Sequence, residues 1–403
     1  MRIALVYSAY PPLEAWQRGD GGADYCRVLA THLAEEGHEM HVITGCAPGA
    51  AENTEQPQPG LEVIVHRAIR DWSPSGLLNG QYRRLSNALR EVAPHVTLLI
   101  FPGGGLGCGY LLPALIPSME PGRPVVTSLF TFLPARKPVY APLFLAASAY
   151  LYSRSRLILF ESMAQLKRMQ RIFPSLAPRC EFMPTGCTME IQEHYDAGRM
   201  RERRRRVGLD PGKRYLAFLG QMRRNKHPQL FLEAAQQVRA RHGDLQILFI
   251  GGSGREALRS RFERRILRLI DDTGMADAVH FTGYTDEQRF NQFLLACDMC
   301  VLPFDERLGR STLFVAMSAG MPMVTIARDD HMFLRHRESG YLVRSFQASD
   351  LAAGMEDVLT EPGLRERLSQ GALAASEQVS WKRLARRWTD LMSAAASEHA
   401  CPA

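Results

Sequence analysis

The chain has 403 residues, of which 46% are hydrophobic and 23% are charged. This balance is typical of a folded protein of two or three domains, and it excludes a disordered chain, a collagen-like chain and a disulfide scaffold. The formal net charge of +7 favours anionic partners, such as nucleotide phosphates, acidic lipid headgroups or nucleic acid, without choosing among them.

The first half of the chain alternates short apolar runs with helical patterns. Arg2–Tyr7 is typical of a buried parallel strand, and apolar residues from Tyr25 to Leu33 recur at helical spacing. Further strands are predicted at 41–44, 96–101, 124–129 and 157–160, with a helix at 162–171. A strand, a glycine loop, a helix and a strand in this order indicate a doubly wound α/β domain.

A second α/β series follows a basic run at Arg201–Arg206, which we interpret as a solvated helix surface. The predicted strands are 215–219, 246–250, 279–281, 299–302 and 323–326, and the predicted helices are 230–241, 258–273, 290–296, 312–319, 351–359, 364–375 and 381–393. The sequence therefore predicts two similar α/β halves, joined near residues 183–210.

Three loops follow predicted strands, where parallel α/β sheets bind ligands. Gly19–Gly22 can bring N–H groups to an anion, although an ordinary turn explains it equally well. Gly220–Lys226 has three cations within four positions, which suits a diphosphate; the alternative is a solvated basic loop. Asp305–Thr312 combines carboxylates, a glycine, an arginine and two hydroxyls at a helix start, which suits a phosphate, although capping by Ser311 or Thr312 also explains the hydroxyls.

Two segments give weaker signals. Gly251–Gly254 contains only half of a dinucleotide fingerprint, so the sequence does not favour NAD binding. The apolar segment 138–151 has basic residues on both sides, within 136–156. It is too short to span a membrane, and it is either a buried helix or a peripheral contact with a membrane surface.

The cysteines and histidines indicate neither disulfides nor a metal site. The eight cysteines lie scattered among apolar residues, as expected for reduced thiols in a cytoplasmic protein. Zinc at Cys297 and Cys300 would need a second ligand pair, so we interpret both as core residues at a helix-to-strand junction. The twelve histidines show no metal-ligand spacing, and no signal peptide or membrane-spanning run is visible.

Taken in order, these features resemble family 4 of the retaining GT-B glycosyltransferases, the glycosyl transferases group 1, over nearly the whole chain. The motifs that carry the resemblance are Glu36–Glu39, Leu219–Lys226, Ile250–Gly254, Val279–Tyr284, Ala296–Asp298, Val301–Pro303, Ala316–Pro322, Gly340–Val343 and the Trp381 helix. The resemblance implies an α/β protein with two Rossmann-like doubly wound domains facing across a cleft. It implies an acceptor-binding domain at 1–185, with about 383–403 packing back onto it, and a nucleotide-sugar-binding domain at 186–382.

Three positions depart from the family pattern. The second of the family's paired glutamates falls at Val315, or at Phe314 in another count. The family's clamp arginine is replaced by Gln221, with Arg223 as its candidate substitute, and a histidine that faces the donor sugar is replaced by Phe130. These departures keep open a catalytically silent relative that binds a nucleotide or a partner protein.

The resemblance implies transfer of a sugar from a nucleotide diphosphate sugar to an acceptor hydroxyl, with retention and without a metal or other cofactor. A donor phosphate oxygen takes the acceptor proton in such enzymes, so no side-chain base is expected. The expected catalytic residues are Arg223, Lys226 and Glu306; the phosphate-binding residues are Gly21, Gly22, Gly220, Gln221, Gly309, Arg310, Ser311 and Thr312; the base region is Gly252 and Tyr284; and the donor-sugar residues are Asp305 and Phe130. Nucleic acid is the least favoured partner, because only the net charge and the run at Arg201–Arg206 suggest it.

Overall fold

The computed structural model describes residues 1–12, 21–46, 52–101, 111–129, 141–252, 254–257, 260–305, 311–328 and 333–397. The chain divides into two compact units, one formed by Met1–Thr185 with Trp381–Ala403 and the other by Gly186–Ser380. Each unit is built on its own, mainly parallel sheet.

The described strands of the first unit form an eight-stranded sheet. They are β1 (Arg2–Val6), β2 (Glu39–Gly45), β3 (Asn53–Glu55), β4 (Val63–Ile69), β5 (Val96–Phe101), β6 (Val125–Leu129), β7 (Leu157–Phe160) and β8 (Cys180–Phe182). Their order is β3-β4-β2-β1-β5-β6-β7-β8, and only β3 runs antiparallel to its neighbour. Strand β5 is buried throughout, because both faces of a parallel sheet are covered.

The helices of the first unit connect these strands. They are α1 (Gly21–Glu35), α2 (Pro74–Leu78), α3 (Gln81–Val92), α4 (Leu111–Ala114), α5 (Ile116–Met119), α6 (Ala141–Arg154) and α7 (Met163–Ile172), followed by a 3₁₀ turn at Pro174–Arg179. The C-terminal helix, Trp381–Ser397, packs against α1, β5 and β6. It buries Trp388 completely, and the Thr389 hydroxyl is hydrogen-bonded to His38 Nε2 at 2.8 Å.

The second unit has a six-stranded, fully parallel sheet among its described residues. Its strands are β9 (Arg214–Leu219), β10 (Leu245–Ile250), β11 (Val279–Phe281), β12 (Met299–Leu302), β13 (Met323–Ile326) and β14 (Tyr341–Val343). Their order is β11-β10-β9-β12-β13-β14, so the direction of winding reverses between β9 and β12. This is the doubly wound order of nucleotide-binding α/β domains.

Helices and short 3₁₀ turns connect the strands of the second unit. The helices are α8 (Met200–Val207), α9 (Pro228–Arg239), α10 (Arg261–Asp272), α11 (Glu287–Leu295), α12 (Ser311–Ser318), α13 (Ala348–Thr360) and α14 (Leu364–Ser376). The 3₁₀ turns are Ala197–Arg199, Arg224–Lys226, Arg255–Ala257 and Glu377–Val379. Cys297 follows α11 and Cys300 lies in β12, and both are fully buried. No described helix has the length and apolar character needed to cross a bilayer.

The prediction of a solvated helix at Arg201–Arg206 is wrong for two of its arginines. Arg203 and Arg204 are 4% and 5% exposed. Arg204 Nη2 donates to the buried carboxylate of Asp298 at 2.6 Å, and its guanidinium lies 5.5 Å from the centre of the Tyr215 ring. Burial is tolerated here because the positive charge has a carboxylate partner and an aromatic face.

Strands β3 and β4 and helix α3 have no counterpart among the predicted elements. In β4 the charged and polar His66 and Arg67 interrupt an otherwise apolar run. Their side chains contact β3, where Thr54 Oγ1 lies 3.4 Å from His66 Nδ1 and Arg67 Nε donates to Glu55 at 2.9 Å. The polar residues of β4 therefore depend on pairing with the edge strand β3 rather than on a periodicity of their own.

Candidate active site

The candidate site lies at the carboxyl ends of β9 and β12, where the winding of the second sheet reverses. Ligands of doubly wound sheets bind outside the strand ends at such a point. The predicted loop Gly220–Lys226 follows β9, and Asp305 follows β12. The Asp305 N–H donates to the Asn225 carbonyl at 3.0 Å, so the two loops are joined by a backbone hydrogen bond.

Lys226 is a buried cation within this edge. Its side chain turns back so that Nζ donates to the Leu219 carbonyl at 2.7 Å, and Nζ lies 4.9 Å from the centre of the Phe304 ring. The residue is only 8% exposed. Burial, and secondarily the charge of Arg223, lower the pKa of Lys226 to about 7. The charge of Lys226 near neutral pH therefore depends on whether an anion is bound at this edge of the sheet.

Gly220 is the residue that lets Lys226 approach the strand end. Its φ is +77°, and a Cβ built on it would lie 2.6 Å from Lys226 Nζ and 3.7 Å from Thr312 Cγ2. A side chain here would be strained and would displace the ammonium. Lys226 and Thr312 thus flank the same glycine, and Thr312 lies in the first turn of α12, where N–H groups carry partial positive charge.

Gln221 links two other predicted residues. Its Oε1 accepts hydrogen bonds from Arg223 Nε at 2.9 Å and Nη2 at 2.6 Å, while its Nε2 donates to Tyr284 Oη at 2.9 Å. Arg223 is exposed, and so is Tyr284, at 54%. Gln221 stands in the sequence where the resemblance leads us to expect an arginine, and its side chain is hydrogen-bonded to the guanidinium of Arg223.

The loop after β10 packs directly on the loop after β9. Gly252 has φ +78°, and a Cβ built on it would lie 2.9 Å from Gln221 Cα. This close approach of two backbones requires glycine. Gly252 and Tyr284, the predicted base region, therefore both lie next to Gln221.

Two residues at this edge were not predicted from the sequence. Arg328 Nη1 donates to the carbonyl of Phe304 at 3.3 Å and to that of Asp305. His227 Nε2 lies 3.7 Å from Asp305 Oδ2, beyond hydrogen-bond distance. Arg328 follows the predicted strand at 323–326, so the rule that ligands bind at carboxyl ends would have indicated it.

The remaining predicted positions lie elsewhere. Glu306, Gly309, Arg310 and Phe130 lie outside the described residues. Gly21 and Gly22 are the first two residues of α1 in the first unit. Phe314 and Val315, the alternatives for the family's second glutamate, are 2% and 3% exposed, so both positions are apolar core. Within the described ranges, no group of three or more His, Cys, Asp or Glu side chains could hold a metal ion.

Two family descriptions match the chain, one in each unit. Residues 199–374 match "Glycosyl transferases group 1", and residues 20–186 match "Glycosyl transferase 4-like domain". A protein named D-inositol 3-phosphate glycosyltransferase from Pseudarthrobacter chlorophenolicus is 25% identical, over 99% of this chain and 96% of its own length. One of the same name from Rhodococcus jostii is 26% identical, over 95% of this chain and 87% of its own.

Solved structures agree with these matches at the level of the fold. Sucrose-phosphate synthase from Thermosynechococcus elongatus superposes with a TM-score of 0.75 at 18% identity, covering 97% of this chain and 98% of its own. Anabaena HepE, solved in complex with UDP and glucose, gives 0.73 at 16% identity, covering 98% and 100%. The two α/β units, their sheet order and both family matches together make the chain a member of the GT-B glycosyltransferases of group 1.

Proposed function

We propose that the protein transfers a sugar from a nucleotide diphosphate sugar to an acceptor hydroxyl, with retention of configuration at the anomeric carbon. The observation that carries this proposal is Lys226 beside Gly220 and Thr312, at the point where the second sheet reverses its winding. One relative is named a glycosyltransferase, and structural neighbours were solved in complex with UDP and glucose or with UDP-glucose. These names support a nucleotide diphosphate sugar as the donor.

The proposed reaction releases a nucleoside diphosphate, so negative charge develops on the β-phosphate oxygens as the glycosidic bond breaks. Preorganised positive groups at that position lower the barrier. In this proposal Lys226 and Arg223 supply the charges, and the N–H groups at the start of α12, near Ser311 and Thr312, supply partial charges. A bound diphosphate would also stabilise the protonated form of Lys226.

We assign the remaining donor contacts by position. Gly252 and Tyr284 lie next to Gln221, and in this proposal they contact the base. Asp305 follows β12, and together with Glu306 in the adjoining segment it would accept hydrogen bonds from sugar hydroxyls. The proposal needs no metal, since the cations neutralise the leaving group, and no side-chain base, since a donor phosphate oxygen takes the acceptor proton.

Donor turnover tests this proposal. The full chain is incubated with UDP-, GDP- and dTDP-sugars, with and without polyol acceptors, and release of the nucleoside diphosphate is measured. The proposal expects release from at least one donor, and NMR of the product should show the anomeric configuration of the donor. Release from none would favour the catalytically silent relative, and an inverted product would contradict retention.

We also propose that α6 contacts an anionic membrane surface. Leu143 and Leu145 are 48% and 54% exposed, and the segment 141–153 has no charged side chain. Arg154 ends the helix, and its guanidinium lies 5.9 Å from the centre of the Tyr150 ring. Apolar side chains beside cations are the pattern of interfacial helices.

Co-sedimentation with vesicles tests this contact. The double variant Leu143→Gln, Leu145→Gln should bind phosphatidylglycerol vesicles at least about tenfold more weakly than the parent, since each leucine loses its burial in lipid. Ile172→Gln on α7, where the parent residue is 49% exposed, is the matched control. Equal binding by the double variant and the parent would contradict the proposal.

A further inference from the structure

The second unit contains a polar cavity apart from the edge described above. Its volume is about 250 Å³, and its wall is formed by the segment before α8, by α8 and by α11. The lining residues are Glu190, Gln192, Glu193, Arg203, Arg206, Glu287, Gln288, Asn291, Gln292 and Leu295. None of them belongs to the Gly220–Lys226 loop or to α12, and nine of the ten are polar or charged.

One wall of this cavity includes a buried arginine, Arg203. The residue is 4% exposed, yet its Nε and Nη1 have no hydrogen-bond partner among the described residues. Asn291 Oδ1 is likewise buried without a partner. Buried polar atoms normally have partners, because leaving one unsatisfied costs about 1–3 kcal/mol. Arg203 and Asn291 both line the cavity, so a ligand with hydroxyl-like groups that entered between their side chains would satisfy these donors and this acceptor.

The geometry of Arg203 argues against an anionic ligand. A guanidinium holds a carboxylate or phosphate bidentately with Nη2 and one other nitrogen. Here Nη2 already donates to the His194 carbonyl at 2.7 Å and to Glu193 Oε2 at 3.3 Å. The unpartnered Nε and Nη1 lie on different edges, so each suits a separate neutral oxygen.

The charges of the cavity wall also argue against an anionic ligand. The lining residues carry two positive charges, Arg203 and Arg206, and three negative charges, Glu190, Glu193 and Glu287. Glu193 lies 3.3 and 3.2 Å from the guanidiniums of Arg203 and Arg206. A net negative lining disfavours an anion, while carboxylate, amide and guanidinium groups together both accept from and donate to vicinal hydroxyls.

We propose that this cavity is a second carbohydrate site, which binds a neutral polyhydroxyl molecule of monosaccharide size. The proposal does not rest on the proposed function, because its residues are separate from the diphosphate edge. Arg203 and Asn291 would supply the buried hydrogen bonds, and Gln288 would contact the sugar at the exposed rim.

Saturation-transfer difference NMR with glucose, galactose and myo-inositol tests the site on the full chain. The signal of at least one probe should persist when UDP is saturating and in the Lys226→Ala variant. It should fall about fivefold or more in Arg203→Met and in Gln288→Leu, as expected for loss of a hydrogen bond. Arg201→Gln, an exposed arginine on the same helix, should leave it unchanged.

Several outcomes would overturn the proposal. The first is that none of the three probes gives a saturation-transfer signal, and the second is that the signal is lost when UDP is added. The third is that inorganic phosphate displaces the sugar, and the fourth is that both cavity variants keep the full signal. If Arg203→Met does not fold, Gln288→Leu decides, because Gln288 is exposed and its replacement leaves the core intact.

Discussion

The ammonium of Lys226 donates a hydrogen bond to the carbonyl oxygen of Leu219, the last residue of β9, at 2.7 Å. A buried cation thus lies at the end of a central strand, held by a neutral acceptor and an aromatic face. Among the described residues, the partners of this ammonium are a carbonyl and an aromatic ring, and neither carries a negative charge that would compete with a diphosphate.

Diphosphate binding should weaken as the pH rises. The pKa of ligand-free Lys226 is about 7, and a bound diphosphate raises it, so binding takes up a proton above that pH. Affinity for UDP should therefore fall from pH 7 to pH 9, approaching about tenfold per pH unit. This range lies above the ionisation of the terminal phosphate, near 6.

Calorimetric titration at several pH values measures this effect, with Lys226→Met as its control. The variant should bind more weakly and should show a flat profile over the same range. A flat profile in the parent, or the same slope in both proteins, would exclude Lys226 as the titrating group.

Gly220→Ala should reduce UDP affinity about as much as loss of the lysine. The added methyl would lie 2.6 Å from Nζ, so the ammonium must leave the strand end. Gly208→Ala is the matched control, because Gly208 also has a positive φ, +80°, but a Cβ there meets nothing within 4 Å. Both variants should lose about 1–2 kcal/mol of folding stability, measured by denaturant unfolding. Equal UDP affinity in the two would contradict the prediction.

Gln221 should act through Arg223. Its Oε1 accepts from two guanidinium nitrogens of Arg223, so Gln221→Ala should free that side chain and lower UDP affinity about threefold to tenfold. A double-mutant cycle with Arg223→Ala measures the coupling. The double variant should bind UDP no more weakly than Arg223→Ala alone. Additive losses would show that the two residues contact the ligand independently.

Asp298→Asn should destabilise the second unit without a direct effect on the site. The carboxylate accepts from Arg204 Nη2 at 2.6 Å, Arg365 Nη1 at 3.0 Å and the Tyr215 N–H at 2.7 Å. Neutralising it leaves the buried guanidinium of Arg204 unpaired, which costs about 3–5 kcal/mol. Chemical denaturation should show this loss, whereas Arg205→Gln on the exposed side of α8 should change stability by less than about 0.5 kcal/mol.

The doubly wound architecture could be predicted because its signals are local. Apolar runs such as Val96–Phe101 and Gln246–Ile250 coincide with strands within one residue. The sequence also predicts that Gly220–Lys226 follows a strand, because the apolar run ends at Leu219 and a glycine comes next. Strand β4 escaped prediction because its polar residues contact an edge strand that the sequence pattern does not reveal.

Pairings between distant residues could not be predicted. The burial of Arg204 depends on Asp298, which lies 94 positions away. Arg223 could be named as a candidate substitute for the arginine that Gln221 replaces, but the hydrogen bond from Gln221 to Tyr284, 63 positions away, could not be predicted. The burial of Lys226 likewise results from packing against Phe304. A single sequence gives the types of these side chains, not the partners that folding gives them.

In the proposed mechanism Lys226 neutralises a diphosphate, and titration with UDP and with UMP tests this role most directly. The parent should bind UDP more tightly than UMP, and Lys226→Ala should lose about tenfold or more of the UDP affinity while UMP binding changes little, since a charge-assisted hydrogen bond contributes about 1.5–3 kcal/mol. Lys213→Ala, at the opposite end of β9, should behave like the parent. If Lys226→Ala binds UDP as tightly as the parent does, the assignment of this edge as the diphosphate site is wrong.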